Sequence, residues 1–230
     1  MLLIAHRGLS ARAPENTLEA FSRALDAGCD GIETDVRLTA DGGLVLLHDD
    51  ELARTTGVRG RASDMRFADV VALGVPSLEE FLELCAGRTR MYLELKGSFR
   101  PDGFRSAEPV ARAVAPLLQE TFDVVVSSFD PTATALVREV APSIPTGVGG
   151  PAMLGPDWAL EVAVEGNHRE VHVAEETIDV GFVARANAAG KAVLGWTVND
   201  PARLRALRGM DVDGVFTDDV SAAREALRDD

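Results

Sequence analysis

LLIAHRGLSARAPENTLEAFSRALDAGCDGIETDVRL, residues 2–38, holds two β-rich runs, LLIAH (2–6) and GIETDVRL (31–38), with the amphipathic segment TLEAFSRALDAG between them. This order predicts two parallel strands joined by a crossover helix. Pro14 suits the start of that helix, and Asn16 or Thr17 its cap. Outward from this unit the pattern repeats. Further β-rich runs are MYLELK (91–96), DVVVSSF (123–129), TGVGG (146–150), EVHVAE (170–175), AVLGWTVN (192–199) and GVFTD (214–218), with amphipathic stretches between them. Two of them, DVVVSS and AVLGW, are continuously apolar, as strands buried on both faces should be. Eight such runs predict an α/β protein, a (β/α)8 TIM barrel. A doubly wound sheet is the alternative, but HRGLSARAPEN after the first run lacks the GxGxxG spacing of a dinucleotide turn. One connection is irregular. After the second strand come a turn at DGG, a short strand LVLLH (44–48), and a loop-rich insertion over about residues 49–75. The expectation is one domain over residues 1–230 with one insertion.

The bulk properties narrow the function. Hydrophobic residues form 46% of the 230, enough for a core that folds without staples. Cys29 and Cys85 sit in apolar contexts and read as reduced, buried thiols. The net charge of −14 comes from 37 acidic and 23 basic residues, without the Lys/Arg stripe of a nucleic-acid binder. An acidic surface also repels anionic lipid. A phosphate-bearing ligand therefore needs a local device, a metal ion or a few placed cations. The start MLLIA is too short for a signal-peptide core, and no run approaches the ~18 apolar residues of a membrane span. A cytoplasmic protein that binds neither nucleic acid nor membrane is expected.

Placed on this map, the unusual residues gather at one rim. His6 ends the first strand and His48 the short one. Glu33 and Asp35 share a face of the second strand through its period of two, as do Glu94 and Lys96 on the third. Ser128, Trp196, Asn199, Thr217 and Asp218 lie at the ends of later strands. In a barrel these ends converge on the face that carries active sites. Charges within apolar strands are costly unless paired or bound to metal. Glu33, Asp35 and Glu94 offer oxygen alone, which suits Mg2+ or Ca2+ and disfavours zinc. Without a cation they would repel one another. Two imidazoles from different segments suit general acid–base work near neutral pH, and Arg7 and Lys96 supply phosphate-facing charge. The set describes phosphoryl-ester cleavage better than Schiff-base chemistry, because the carboxylates would keep Lys96 protonated. His168 and His172 read as structural. Glu15, near the rim, is a candidate for a supporting role.

With these residues in view, the sequence resembles the glycerophosphodiester phosphodiesterases. The matching segments are AHRGLSARAPENTLEAFSRALDAGCDGIETDVRLTADGGLVLLHDDELARTTG, PSLEEFL, YLELKG, SSFD, GKAVLGWTVND and VDGVFTDD. The resemblance implies a TIM barrel with a small insertion after the second strand. It implies that His6 and His48 are a catalytic pair, that Glu33, Asp35 and Glu94 hold one divalent cation, and that Arg7 and Lys96 face the phosphate. Trp196 would line the pocket near the glycerol end. The implied reaction cleaves a small-molecule glycerophosphodiester to glycerol 3-phosphate and an alcohol. Which histidine is acid and which base stays open, as does direct water attack against a cyclic phosphate. Two rival readings are a lysophospholipase D-like enzyme and a non-catalytic glycerophosphodiester-binding module. The first should show an exposed apolar rim or a membrane-binding segment, for which the acidic chain offers little support. Loss of a histidine or ligand would favour the second, and none is lost.

Overall fold

The computed structural model describes residues 1–118 and 122–228. In chain order its first half runs β1 (Leu2–Ala5), α1 (Leu18–Asp26), β2 (Gly31–Leu38), β3 (Leu44–Leu46), α2 (Ala53–Thr56), α3 (Phe67–Val71), α4 (Leu78–Cys85) and β4 (Arg90–Leu95). A hairpin follows, β5 (Ser98–Arg100) and β6 (Gly103–Arg105), then α5 (Glu108–Val114). The remainder is β7 (Val124–Ser128), α6 (Pro131–Val140), β8 (Thr146–Gly150), α7 (Pro156–Glu165), β9 (Glu170–Ala174), α8 (Val180–Ala188), β10 (Ala192–Trp196), α9 (Pro201–Gly209), β11 (Gly214–Thr217) and α10 (Val220–Ala226).

Strands β1, β2, β4, β7, β8, β9, β10 and β11 pair in parallel, and β1 closes the ring by pairing with β2 on one side and β11 on the other. All eight expected runs are therefore barrel strands, including the glycine-rich β8. Alternation sorts their residues. Leu3, Ala5, Ile32, Val36, Met91, Leu93 and Val126 join the core beneath the helices. Ile4, Tyr92, Val125, Leu194 and Phe216 form a separate cluster with Leu2 and Trp196, inside the barrel. Outside it, Phe21 of α1 and Phe81 of α4 meet edge-on at 4.7 Å, a contact worth ~0.5–1.5 kcal/mol beyond its burial.

Three local features depart from the sequence expectation or extend it. α1 starts at Leu18, not at Pro14. Thr17 caps it by accepting from the Ala20 amide, and its hydroxyl donates to the Pro14 carbonyl. Asn16 is left-handed, with φ 53°, so the chain cannot be helical there. The insertion has its own small core of Val45, Leu47, Leu52, Ala62, Val70 and Val75, and β3 runs antiparallel to β2. The β5–β6 hairpin has no counterpart in the expected elements. Cys29 and Cys85 are free thiols, as expected, but only Cys85 is buried; Cys29 is partly exposed. Among the described residues no helix is long and apolar enough to cross a membrane.

Candidate active site

The register of β2 against β4 sets Asp35 beside Glu94, with Glu33 two residues earlier on the same face. One oxygen from each of Glu33, Asp35 and Glu94 lies within 4.8 Å of the others. Glu33 and Asp35 are almost wholly buried, at 4% and 1% exposure. Asn16 explains part of how Asp35 is held. Its amide nitrogen donates to Asp35 Oδ2 at 2.8 Å, and its oxygen accepts from the Thr34 hydroxyl at 2.7 Å.

Positive groups surround the carboxylates. Arg7, left-handed at φ 57°, turns its backbone N–H to Glu33 Oε2 at 2.9 Å. Its guanidinium meets Asp35 at 3.1 Å and Glu15 at 3.1 Å. Gly8 then turns away with φ 81°, and a Cβ there would lie 2.6 Å from the Ala20 backbone, so only glycine fits. Lys96, one residue past β4, pairs with Asp35 at 3.0 Å and with Glu94. Burial alone would raise the Asp35 carboxyl, yet Lys96 and Arg7 hold it below the carboxylate range. Glu33 moves the other way, raised by burial and by the neighbouring Asp35. Its Oε1 is buried with no hydrogen-bond partner among the described residues. A buried carboxylate oxygen of this kind, beside two more carboxylates, fits a hard divalent cation.

Each rim histidine leans on an aspartate. His6 Nδ1 lies 2.8 Å from Asp218 Oδ1, and Ser10 and Asn199 donate to the same carboxylate at 3.0 and 2.6 Å. His48 Nδ1 lies 2.8 Å from Asp49 Oδ1. A carboxylate only accepts, so each Nδ1 carries the proton and each Nε2 is left for exchange. Burial disfavours charge on His6, but Asp218 and Glu33 outweigh it and raise its pKa. Burial and Lys96 lower that of His48.

Of the eight residues anticipated from sequence, Glu33, Asp35 and Glu94 thus lie on β2 and β4, His6, Arg7 and Lys96 follow β1 and β4, His48 follows the antiparallel β3, and Trp196 ends β10, where its indole N–H donates to the His172 carbonyl at 3.0 Å. Glu15 joins the frame by accepting from Arg7 and from Arg54, whose guanidinium also binds Asp49. Arg37 went unnoticed in the sequence, although it continues the period of two from Glu33 and Asp35. Only 8% exposed, it donates to the carbonyls of Leu47, His48 and Gly97 and so ties the His48 loop to the Lys96 loop. His168 and His172 stay out of the site. The first shares a hydrogen bond with Thr146, the second with Glu170 inside the barrel.

The sequence profile of the glycerophosphoryl diester phosphodiesterase family matches residues 6–222. A glycerophosphodiester phosphodiesterase of Bacillus altitudinis is 34% identical over 94% of both chains. One of Caldanaerobacter subterraneus is 31% identical over 95% of this chain and 94% of its own. An Oleispira antarctica phosphodiesterase, solved with the product sn-glycerol-3-phosphate, superposes with a TM-score of 0.87 at 28% identity over 99% of this chain and 97% of that one. A Thermotoga maritima glycerophosphodiester phosphodiesterase gives a TM-score of 0.83 at 27% identity, over 98% and 97%. With the barrel, the carboxylate cluster and these matches together, the chain belongs to the glycerophosphoryl diester phosphodiesterase family.

Proposed function

We propose that this phosphodiesterase hydrolyses glycerophosphodiesters to glycerol 3-phosphate and an alcohol, using one divalent cation, Mg2+ or Ca2+, and proton transfer by His6 and His48. The observation that carries the reading is the Glu33–Asp35–Glu94 cluster, its first two members buried, accompanied by two histidines that each have an aspartate on Nδ1. A cation held by the three carboxylates would polarise the phosphoryl oxygens. The remaining work falls to the chain. With Nδ1 protonated toward Asp218 and Asp49, His6 and His48 exchange protons through Nε2, one taking a proton from the nucleophile and the other returning one to the departing alkoxide. Arg7 and Lys96 offset the charge that builds on the phosphoryl oxygens in the transition state. Trp196, packed edge-on against Phe129 of the cleft, would face the glycerol end of the substrate. The Oleispira protein's product complex supports the substrate class.

The test is a turnover panel with glycerophosphocholine, -ethanolamine, -glycerol and -inositol, each with Mg2+ and with Ca2+, read by glycerol 3-phosphate release. Release from at least one diester is expected. No release from any of them with either metal would contradict the reading.

A further inference from the structure

His48 reaches the site from a different kind of element than its companions. Glu33, Asp35 and Glu94 stand on barrel strands, and His6, Arg7 and Lys96 directly follow barrel strands. His48 follows β3, a strand of three residues antiparallel to β2. Its neighbour Leu47 packs in the small core of the insertion, not in that of the barrel. Some contact must fix this segment against the barrel, because a displacement of about 1 Å can slow a reaction about a hundredfold. Strand β2 lies between β3 and β4. On it Arg37 continues the face of Glu33 and Asp35, one step past the last pairing with β4, Val36 to Leu95.

The Arg37 Nε–H points between the carbonyls of Leu47 and His48, at 3.0 and 2.9 Å, and Nη2 donates to the His48 carbonyl as well. On the other side Nη1 donates to the Gly97 carbonyl at 3.1 Å and to the Ser98 hydroxyl at 3.0 Å. Among the described residues this guanidinium makes no ion pair; Asp50, Asp35 and Asp49 act on it only from a distance. A buried cation without a paired carboxylate is costly, and packing alone would be served at lower cost by an apolar side chain. What the guanidinium adds is a planar, rigid fork, which fixes both loops to one group. We propose that Arg37 is a positioning residue for phosphodiester cleavage: by holding the carbonyls of His48 and Gly97 in one fork, it sets the His48 imidazole against the Lys96 ammonium at a common phosphoryl group. It acts through His48 and transfers no proton itself. This inference rests on the phosphodiesterase reading of the same site.

The test uses the diester and metal of the panel above that give the fastest glycerol 3-phosphate release. The proteins are the wild type, Arg37→Gln, Arg37→Lys, His48→Ala and Arg37→Gln/His48→Ala. Arg37→Gln should lower kcat about ten- to a hundredfold and leave KM within about twofold. In the His48→Ala background the same substitution should lower kcat by less than about twofold, because groups that act as a unit are not additive. Lysine keeps the charge but lacks the fork, so Arg37→Lys should recover at most about threefold of the loss. An unchanged kcat in Arg37→Gln, a loss carried by KM alone, a full loss repeated beside His48→Ala, or full recovery by lysine overturns the proposal. Hydrogen exchange supplies a readout apart from turnover. The amides of Leu47 and Lys96 donate to the β2 carbonyls of Asp35 and Val36. In Arg37→Lys, which retains the buried charge, both amides should exchange faster than in the wild type, while that of Val171 on β9 keeps its rate. Unaltered exchange at either overturns the bridge. A wild type that cleaves no diester contradicts the phosphodiesterase reading. Exchange then decides the bridge by itself, upheld by faster rates at both amides and overturned otherwise.

Discussion

His6 and His48 are held by aspartates in different ways. Asp218 is fixed from three directions, by His6, Ser10 and Asn199, whereas Asp49 depends on Arg54 of the insertion. As proton carriers both histidines should matter alike: His6→Ala and His48→Ala should each lower turnover by roughly 10²–10⁴-fold, and a near-normal rate in either removes that residue from the mechanism. Arg54 also binds Glu15, which binds Arg7, so one run of ion pairs joins His48 to Arg7. Exposed pairs of this kind contribute about 1 kcal/mol or less to stability. Arg54→Ala should therefore leave the unfolding midpoint nearly unchanged and cut kcat by about ten- to a hundredfold through lost positioning. An unchanged kcat would confine Arg54 to the surface. At this scale the sequence disclosed the residues whose charge is anomalous in an apolar strand. Asn16 and Arg37 escaped for a different reason. Asn16 looks like a helix cap, and Arg37 has backbone acceptors in loops that only the tertiary fold brings to it.

Among elements, the eight barrel strands were legible from apolar runs and alternation. The β5–β6 hairpin was not, because Ser98–Arg105 lacks a sustained apolar run, although Pro101, Asp102 and Gly103 at its turn carry a turn signal. It is held by the packing of Phe104 against the Gly97 backbone, a contact invisible in one dimension. Glycine-rich β8 is a poor strand former by composition, yet its glycines accommodate rings from neighbouring elements: a Cβ at Gly147 would lie 2.8 Å from His172, and one at Gly149 2.6 Å from Phe129. Gly149→Ala should overpack this seam and lower the unfolding free energy by about 1–3 kcal/mol, with a shift in tryptophan emission because Phe129 contacts Trp196. Wild-type stability with unaltered emission would show that Phe129 moves aside freely.

At the scale of the molecule, the acidic charge and closed barrel bear on stability as well as function. His168, 2% exposed, bonds Thr146 through Nδ1 at 2.8 Å and accepts Lys191 Nζ on its carbonyl at 2.8 Å. Burial, then Arg138 and Lys191, lower its pKa from 6.5 to about 4. The unfolded chain takes up this proton as the pH falls through 6.5, while the folded protein refuses it until pH 4. This residue therefore costs stability across that window, at up to about 1.4 kcal/mol per pH unit. The stability advantage of wild type over His168→Asn should shrink from pH 6.5 to 4, and a constant difference by denaturant titration would contradict the assignment. The same balance of charge governs the mouth of the barrel, where three carboxylates meet and Glu33 Oε1 is buried with no hydrogen-bond partner among the described residues. Glycerol 3-phosphate release from glycerophosphocholine by exhaustively chelated protein tests this most directly. The rate should fall to background and return on adding Mg2+ or Ca2+, and an undiminished rate from metal-free protein would contradict the account.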